Sequence, residues 1–336
     1  MRFEAAGCAE PPAADDQPAF HPLRSFLFCN AYYNILEMNF DICLATDWEH
    51  DRDFLFLLDR GLRSRELSTY IVWPHNLEKV LQALGSGSLG FRFVLDRASA
   101  TSPEFLELYR ILSRTGARFL DDPDKILWAS DKATMHLEFI SGGIRVPYTL
   151  IVAPFNTSTE IPLSQAELSR LGSPFFVKPA NTTGGGVGVF EYGTCLEDIL
   201  TVRQQHQGDK YLVQERIHPL EKEGRRFWFR AFHVCGSLLA TWWHDLSHVY
   251  EPLLPEQVER YELQPLFGMI QDIARICQLN FFSTEIVLDR GGQWVAVDYV
   301  NDSCDLRLKS HHADGVPDEV VHQIAERIAQ FARVQL

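Results

Sequence analysis

The sequence predicts a mixed α/β protein, in which an N-terminal part with a small parallel sheet precedes a larger α+β part. Between residues 41 and 122, short apolar runs typical of strands alternate with amphipathic runs typical of helices, and this alternation is the pattern of βαβ units. Beyond about residue 130, strands with alternating polarity are interrupted by single helices. The 336 residues are enough for about two domains of roughly 150 residues each, and we expect three lobes.

The composition indicates a globular protein. Hydrophobic residues make up 46% of the chain, which is enough for a sizeable core, and a net charge of −14 argues against binding to nucleic acid or anionic lipid. The seven cysteines are scattered and include no Cys-x-x-Cys pair, so we expect reduced thiols and a cytoplasmic protein. We find neither an export signal nor a run of about 18 apolar residues.

The N-terminal elements follow in order. Residues 1–22 are rich in Ala, Pro and Asp and lack periodicity, so we expect a flexible extension. Strand-like runs at 41–46, 69–74 and 91–97 are separated by helix-like runs, which predicts an α/β domain over 23–130.

The second part begins with "SDKATMHLEFISGG", which reads as a helix that ends at Gly142. Either Ser130 or Asp131 is its N-cap. A strand, a short helix, a glycine-rich hairpin, a second helix and the strand "YLVQERI" follow. We therefore expect a small α+β subdomain over 131–217.

The last third carries an alternating strand pair at 227–243, a helix around 267–279, a hairpin at 282–300 and a closing helix at 318–334. We assign this part, 218–336, to a C-terminal subdomain.

A glycine-rich loop lies within "FFVKPANTTGGGVGVFEY", residues 175–192, which places Lys178 at the end of a strand before three consecutive glycines. A P-loop would need Gly-Lys-Ser/Thr at this point, and a Rossmann turn would need a helix after the glycines; the chain has neither. What remains is a hairpin loop whose backbone N–H groups can approach an anion, with Lys178 beside it. A mobile hairpin tip without function is the alternative.

The hairpin at 282–300 indicates a metal site. If Gly291-Gly292 forms a two-residue type I′ turn, Glu285 faces Asp298 on the opposite strand. Two opposed carboxylates repel each other unless a cation lies between them, and their hard oxygens suit Mg²⁺ shared with phosphates. Two solvated carboxylates on an outer sheet face are the alternative.

The stretch "GRRFWFRAFHV" reads as a strand with two arginines among large aromatic residues. Period-2 alternation places four side chains on one face: Arg226, Trp228, Arg230 and Phe232. Such a face suits a site that meets anions, whereas a surface ion pair of Arg226 with Glu221 or Glu223 is the alternative.

In this order the motifs resemble the ATP-grasp superfamily, over roughly residues 131 to 309. They are a lysine that opens the central domain (Lys132), a strand lysine with a glycine-rich flap, the hinge "YLVQERI", a strand arginine, and an acidic pair followed by asparagine. The resemblance implies an ATP-grasp fold with an N-terminal Rossmann-like pre-ATP-grasp domain over 23–130. Residues 131–217 would then be the lid subdomain, and 218–336 would carry the metal site.

The resemblance also implies the nucleotide contacts. Phosphates would be contacted by Lys132 and Lys178 and covered by the flap of Gly184, Gly185 and Gly186. Adenine would meet the backbone around Gln214, Glu215 and Ile217. Glu215, Glu221 and Glu223 compete for the ribose, and we favour Glu223.

For the metal and the substrate, the resemblance implies Glu285, Asp298 and Asn301 as Mg²⁺ ligands. Asp298 and Asn301 would point to opposite faces of a straight strand, so either the strand breaks near Tyr299 or Asn301 is not a ligand. Arg230 would meet the transferring phosphoryl group or the substrate carboxylate, and Arg307 is a further substrate candidate.

The activity implied by the resemblance is ATP-dependent ligation with Mg²⁺: a carboxylate is activated as an acyl phosphate and joined to an amine, with release of ADP and phosphate. The substrates would be small amino-acid or peptide-like molecules, with no nucleic acid or membrane partner. The sequence does not decide the oligomeric state, and a homodimer is one option. An ATP-grasp phosphotransferase acting on a hydroxyl and a noncatalytic nucleotide-binding module are the alternatives.

Overall fold

A parallel sheet with helices on both faces opens the computed structural model, which describes residues 38–181 and 188–336. Its strands lie in the order β2-β1-β3-β4 and are β1 (Met38–Thr46), β2 (Thr69–Val72), β3 (Leu89–Arg97) and β4 (Arg118–Phe119). Its helices are α1 (Arg52–Arg63), α2 (Pro74–Gly85) and α3 (Leu106–Thr115), with short 3₁₀ turns at Glu49–Asp51 and Pro103–Phe105. The predicted parallel sheet is confirmed.

A four-stranded antiparallel sheet follows, with the strand order β5-β8-β6-β7. Its elements are α4 (Pro123–Ser130), α5 (Lys132–Ser141), β5 (Thr149–Val152), α6 (Gln165–Leu171), β6 (Phe175–Pro179), β7 (Phe190–Gly193), α7 (Leu196–Val202) and β8 (Tyr211–Gln214). Of the two candidate N-caps for α5, the structure uses Asp131, whose carboxylate accepts from the Thr134 N–H at 2.9 Å. Lys132 is therefore the first residue of that helix.

A five-stranded antiparallel sheet, ordered β13-β12-β11-β14-β15, carries the rest of the chain. Its elements are β9 (Glu221–Lys222), β10 (Arg225–Arg226), β11 (Trp228–Val234), β12 (Ser237–His244), β13 (Val249–Pro252), α8 (Pro255–Arg260), α9 (Gln264–Cys277), β14 (Phe281–Leu288), β15 (Trp294–Asn301) and α10 (Asp318–Gln335); β9 and β10 form a separate two-stranded ribbon. The prediction that Arg226 continues the face of Trp228 and Arg230 was wrong, because Arg226 belongs to that ribbon and its guanidinium pairs with Asp245 at 2.7 Å and Glu221 at 2.6 Å.

One hydrophobic core joins the parallel sheet to the C-terminal elements. Phe54 and Leu58 of α1 share it with Ile324 and Ile328 of α10 and with Phe232 of β11. The end of the chain is therefore packed against the first helix, and the described residues lie in one compact unit. The lobe boundaries at 22/23, 130/131 and 217/218 stay predictions. Within the described residues, no helix is long and apolar enough to cross a membrane.

Candidate functional site

The hairpin of β14 and β15 brings Glu285 opposite Asp298, as the sequence predicts, but the predicted turn was wrong. Asp289 N–H donates to the Gln293 carbonyl at 2.9 Å, so three residues rather than two form the loop. Gly292 takes its left-handed position with φ 73°, as in three-residue hairpins. Ile286 therefore faces Ala296, and the extra residue Val297 forms a bulge that restores the Glu285–Asp298 pair.

A second irregularity in β15 determines where Asn301 lies. Ser283 faces Asn301 while Glu285 faces Asp298, so β15 contains one more residue than β14 between these two pairs. The strand thus bends in the region of Tyr299, and Asn301 Nδ2 donates to Asp298 Oδ2 at 2.9 Å. β15 is therefore not broken near Tyr299 but continuous and irregular up to Asn301, and this irregularity is enough to bring Asn301 beside the carboxylate pair; its role as a ligand stays a prediction.

Arg230 and Trp228 hold Glu285 from the neighbouring strand. Arg230 lies directly opposite Glu285, its Nη1 donates to Oε1 at 2.5 Å, and the Trp228 indole N–H donates to Oε2 at 2.9 Å. Burial raises the pKa of Glu285, and the neighbouring Asp298 raises it further, against the opposing effect of Arg230. The sequence pattern placed Trp228 and Arg230 on one face but gave no sign that both would bind this carboxylate.

Lys178 reaches from the four-stranded sheet to the five-stranded one. Its Nζ donates to the carbonyl of the bulge residue Val297 at 3.2 Å, and the side chain is buried. Burial lowers the pKa of Lys178, while the carboxylate of Asp298 raises it. The bulge that aligns the carboxylates thus also presents a carbonyl to this lysine.

Asp298 is ionised within a group of cations. Burial alone would raise its pKa, but Lys132, Lys178 and Arg230 lower it to about 2. We name these five residues the charged cluster: Lys132, Lys178, Arg230, Glu285 and Asp298. Lys132 enters it from the first turn of α5, where its backbone N–H donates to the Ala180 carbonyl at 3.3 Å.

A buried hydrogen-bond chain connects the hinge strand to the strand of Asp298. Gln214 Nε2 donates to Thr149 Oγ1 and to the Tyr299 hydroxyl oxygen, each at 3.0 Å, and His136 Nδ1 lies 2.7 Å from the same hydroxyl. Burial, with Lys178 nearby, lowers the pKa of His136 to about 4. The ring is therefore neutral, and one hydrogen bond joins its Nδ1 to the Tyr299 hydroxyl. Sequence reasoning missed the contact between His136 and Tyr299: each lies within a stretch that drew attention for its neighbours, and no local pattern connects two residues so far apart in the chain.

The remaining hinge residues have local partners. Glu215 Oε1 accepts from the Tyr148 N–H at 2.6 Å, and Ile217 packs against the cluster of Val287, Val295 and Val297. The Glu215 backbone N–H donates to the Tyr148 carbonyl at 2.9 Å. This strand end is thus fixed on one side by residue 148.

Glu223 lies on the exposed turn between β9 and β10, with φ 55°. Its carboxylate accepts from Arg260 at 2.6 Å and from the Tyr261 hydroxyl at 2.7 Å. Glu221, the other glutamate of this ribbon, pairs with Arg226. The ribose contact stays a prediction for all three glutamates.

Arg307 lies in the segment after β15, where it pairs with Asp305 at 2.7 Å and with Asp314 at 2.9 Å. Its partner Asp305 lies near Tyr250: burial raises the pKa of Tyr250 to about 12, Arg230 of the charged cluster opposes that rise, and Asp305 adds to it. Its substrate role stays a prediction. The flap glycines Gly184, Gly185 and Gly186 lie outside the described residues, between β6 and β7, which pair as an antiparallel hairpin.

The donors at the carboxylate pair fit a magnesium ion that is shared with a ligand. Among the residues that the structure describes, no group of three or more His, Cys, Asp and Glu side chains could hold a metal by itself. Glu285, Asp298 and the amide of Asn301 are oxygen donors that lie together, but they are fewer than the six that Mg²⁺ requires. The site therefore suits Mg²⁺ only if phosphate or water oxygens complete its coordination.

Comparison with known proteins gives the fold. No protein-family model and no curated protein matches the sequence significantly. The ATP-bound D-alanine–D-alanine ligase of Bacillus anthracis matches with a TM-score of 0.60 over 89% of this chain and 98% of its own, at 12% identity. The RimK domain ATP-grasp protein of Sphaerobacter thermophilus matches with a TM-score of 0.59 over 87% and 98%, at 20% identity. The chain has the ATP-grasp fold.

A third match, the D-cycloserine synthetase DcsG, has a TM-score of 0.60 over 88% of this chain and 99% of its own, at 16% identity. The three matches cover between 87% and 89% of this chain. The predicted ATP-grasp fold with an N-terminal Rossmann-like domain is thus confirmed. Within that fold, the contact from Lys178 to Val297 shows that the charged cluster forms where the two antiparallel sheets meet.

Proposed function

We propose that this chain is an ATP-dependent ligase that activates a carboxylate as an acyl phosphate and joins it to an amine. The observation that carries the proposal is the charged cluster. Two opposed, partly buried carboxylates, Glu285 and Asp298, are surrounded by three cations from two sheets and a helix. A buried charge destabilises the folded protein unless it is paired. This set of charges would be compensated further by a metal ion at the carboxylates and by phosphate oxygens at the cations.

The nucleotide would lie between the two antiparallel sheets. Lys132 and Lys178 would contact its phosphates, Gly184, Gly185 and Gly186 would cover them, and the backbone from Gln214 to Ile217 would contact adenine. Glu223 is our choice for the ribose. Lys178 already points at the strand of Asp298, so a phosphate that binds this lysine lies next to the carboxylate pair.

Magnesium would be held by Glu285, Asp298 and Asn301, and when bound it would neutralise phosphate charge and orient the transferred group. Arg230 is held in place by Glu285 and presents further positive charge there. We assign Arg230 to the transferring phosphoryl group or the substrate carboxylate, and Arg307 to substrate binding. Phosphoryl transfer needs positioning and charge neutralisation more than a protein nucleophile.

The reaction balances in two steps. A carboxylate oxygen attacks the γ-phosphorus and ADP leaves, which forms the acyl phosphate. The amine nitrogen then attacks the carbonyl carbon, phosphate leaves, and the nitrogen loses a proton. The names of the similar structures, D-alanine–D-alanine ligase and D-cycloserine synthetase, support a ligase with small amino-acid or peptide-like substrates. The net charge of −14 argues against nucleic acid as a partner, and scattered cysteines without a Cys-x-x-Cys pair favour a cytoplasmic protein.

The test is a screen of amino acids and small carboxylates, alone and in pairs, for release of ADP and phosphate in the presence of Mg²⁺. We expect free phosphate only when both a carboxylate and an amine are supplied. The Asp298→Asn variant, which keeps the size of the side chain but lacks its charge, is the matched control and should release neither ADP nor phosphate. A stable phosphoester formed from a single substrate would instead show a kinase, and failure of the protein to bind ATP would contradict both activities.

A further inference from the structure

The hairpin that carries Glu285, Asp298 and Asn301 is held at both of its outer ends by the parallel sheet. Parallel strands end at one edge of their sheet, and polar residues at that edge are free to meet a neighbouring element. Here Arg97 ends β3 and Asp121 follows β4 by two residues. We infer that Arg97 and Asp121 are positioning residues, which together clamp the metal-site hairpin; the inference rests on the proposed function.

Asp121 binds the beginning of β14. One of its oxygens accepts from the Asn280 N–H at 2.5 Å and the other from the Phe281 N–H at 3.1 Å. The side chain of Asn280 adds a third hydrogen bond, in which its Nδ2 donates to the Leu120 carbonyl at 2.6 Å. Three hydrogen bonds thus join the end of β4 to the first residues of the strand that carries Glu285.

Arg97 binds the chain just beyond β15. Its Nη2 donates to the Cys304 carbonyl at 2.9 Å, three residues after Asn301. The guanidinium is fixed by a two-point pair with Asp51, at 2.8 and 2.7 Å, and Asp51 also accepts from the Thr46 hydroxyl at 2.9 Å. Arg97 is only 5% exposed, so it cannot swing away into solvent.

The two anchors lie side by side. A small cavity of about 10 Å³ is lined by both Arg97 and Asp121, together with Phe281 of β14 and Asp302 beyond β15. The start of β14 and the exit of β15 therefore meet the same edge of the parallel sheet. β14 is also paired with β11, whereas β15 is the edge strand of the sheet, so the contacts at the open end of the hairpin matter most for the position of β15.

The reason that such a clamp is needed lies in the irregular ladder of β15. Between Ala296 and Asn301 the strand has two register shifts, and bulged ladders specify register weakly because regular pairs are missing. A one-residue slip would turn Asp298 away from Glu285. A buried charged pair contributes little net stability compared with apolar residues, so we assign to Arg97 and Asp51 a role in geometry rather than in stability.

The first test measures backbone hydrogen exchange in the free protein, which needs neither substrate nor metal. Asp121→Asn keeps one acceptor oxygen and presents an amide group to the other N–H, and Arg97→Lys cannot bind Asp51 at two points while it also reaches Cys304. We expect about tenfold faster exchange at residues 296–304 in each variant. Helix α7 (Leu196–Val202), which packs in the core of the four-stranded sheet, serves as an internal reference and should not change.

The matched control is Arg92→Lys, the same substitution on the same strand at an exposed arginine that pairs with Asp41. It should leave exchange at 296–304 unchanged. Unchanged exchange in both clamp variants would overturn the inference, as would an equal rise throughout the five-stranded sheet, which indicates general destabilisation. If Arg97→Lys does not fold, Asp121→Asn alone decides.

The second test connects the clamp to the metal site. Residues that orient metal ligands typically change metal affinity by about 10- to 100-fold, so the Mg²⁺ concentration for half-maximal ATP turnover should rise by that factor, with the KM for MgATP nearly unchanged. A fall in turnover without any shift in Mg²⁺ dependence would overturn the positioning role. If the wild-type protein shows no ATP turnover, the proposed function fails, whereas the exchange result still decides the clamp.

Discussion

Replacing Lys178 by methionine should weaken nucleotide binding strongly, because the methionine keeps the length of the side chain and removes its charge. In the structure the Lys178 ammonium is buried and lies against the strand of Asp298, so water cannot take its place. A charge-assisted hydrogen bond to a phosphate contributes about 1.5 to 3 kcal/mol. At about 1.4 kcal/mol for each factor of ten, the affinity for MgATP should fall about 10- to 100-fold.

The same substitution should act in the opposite direction on the bare metal site. Lys178 lowers the pKa of Asp298, which means that it repels other cations from this carboxylate. Without that charge, Mg²⁺ alone should bind more tightly than it binds to the wild-type protein. Opposite effects on nucleotide and metal distinguish a phosphate contact from general damage to the site.

The assay is calorimetry with a non-hydrolysable ATP analogue, with and without Mg²⁺, on folded variants of equal thermal stability. Lys79→Met is the control, because Lys79 lies exposed on α2. Lys210 is unsuitable as a control, because its Nζ binds Asp131, the N-cap of the helix that begins at Lys132. Equal nucleotide affinity in the wild-type, Lys178→Met and Lys79→Met proteins would refute the phosphate contact.

Two further predictions concern the carboxylate pair and the buried histidine. Asp298→Asn should abolish Mg²⁺-dependent ADP formation while leaving the fold intact by circular dichroism; near-normal turnover would show that the metal assignment is wrong. Since burial and Lys178 lower the pKa of His136 to about 4, the folded protein binds fewer protons than the unfolded chain between about pH 4 and the usual value near 6.5. The free energy of unfolding should therefore fall as the pH drops through this window, by up to about 3 kcal/mol. Urea titrations at several pH values should show that the free energy of unfolding depends less on pH in His136→Gln than in the wild-type protein. The same pH dependence in both proteins would contradict this prediction.

The pair of Glu285 and Asp298 shows how far sequence reasoning reaches. The pairing was predicted from a two-residue turn that the protein does not have. A three-residue loop shifted the register by one, and the bulge at Val297 shifted it back. Strand polarity could reveal the hairpin and the two acidic positions, but a bulge depends on tertiary contacts such as that of Lys178, which no local pattern records.

The order of motifs and the alternation of strands and helices were enough to predict the fold, because both are local properties of the chain. The partners of the site residues were not predictable in this way. The Trp228 contact to Glu285 joins residues 57 positions apart, and the Tyr299 contact to His136 spans 163. Such pairs depend on how the sheets pack, and the sequence carries no periodic signal for packing.

The charge of the site differs in sign from the charge of the chain, and this difference supports a site for a phosphate ligand. The chain as a whole carries −14, which on its own would repel ATP. Lys132, Lys178 and Arg230 contribute three positive charges to the charged cluster, and the two carboxylates contribute two negative ones when ionised, so the cluster is locally positive by one. Interactions between buried groups are screened much less by salt than those across the surface. An anion that reaches the place where the two antiparallel sheets meet would therefore respond to this local charge more than to the net charge of the protein.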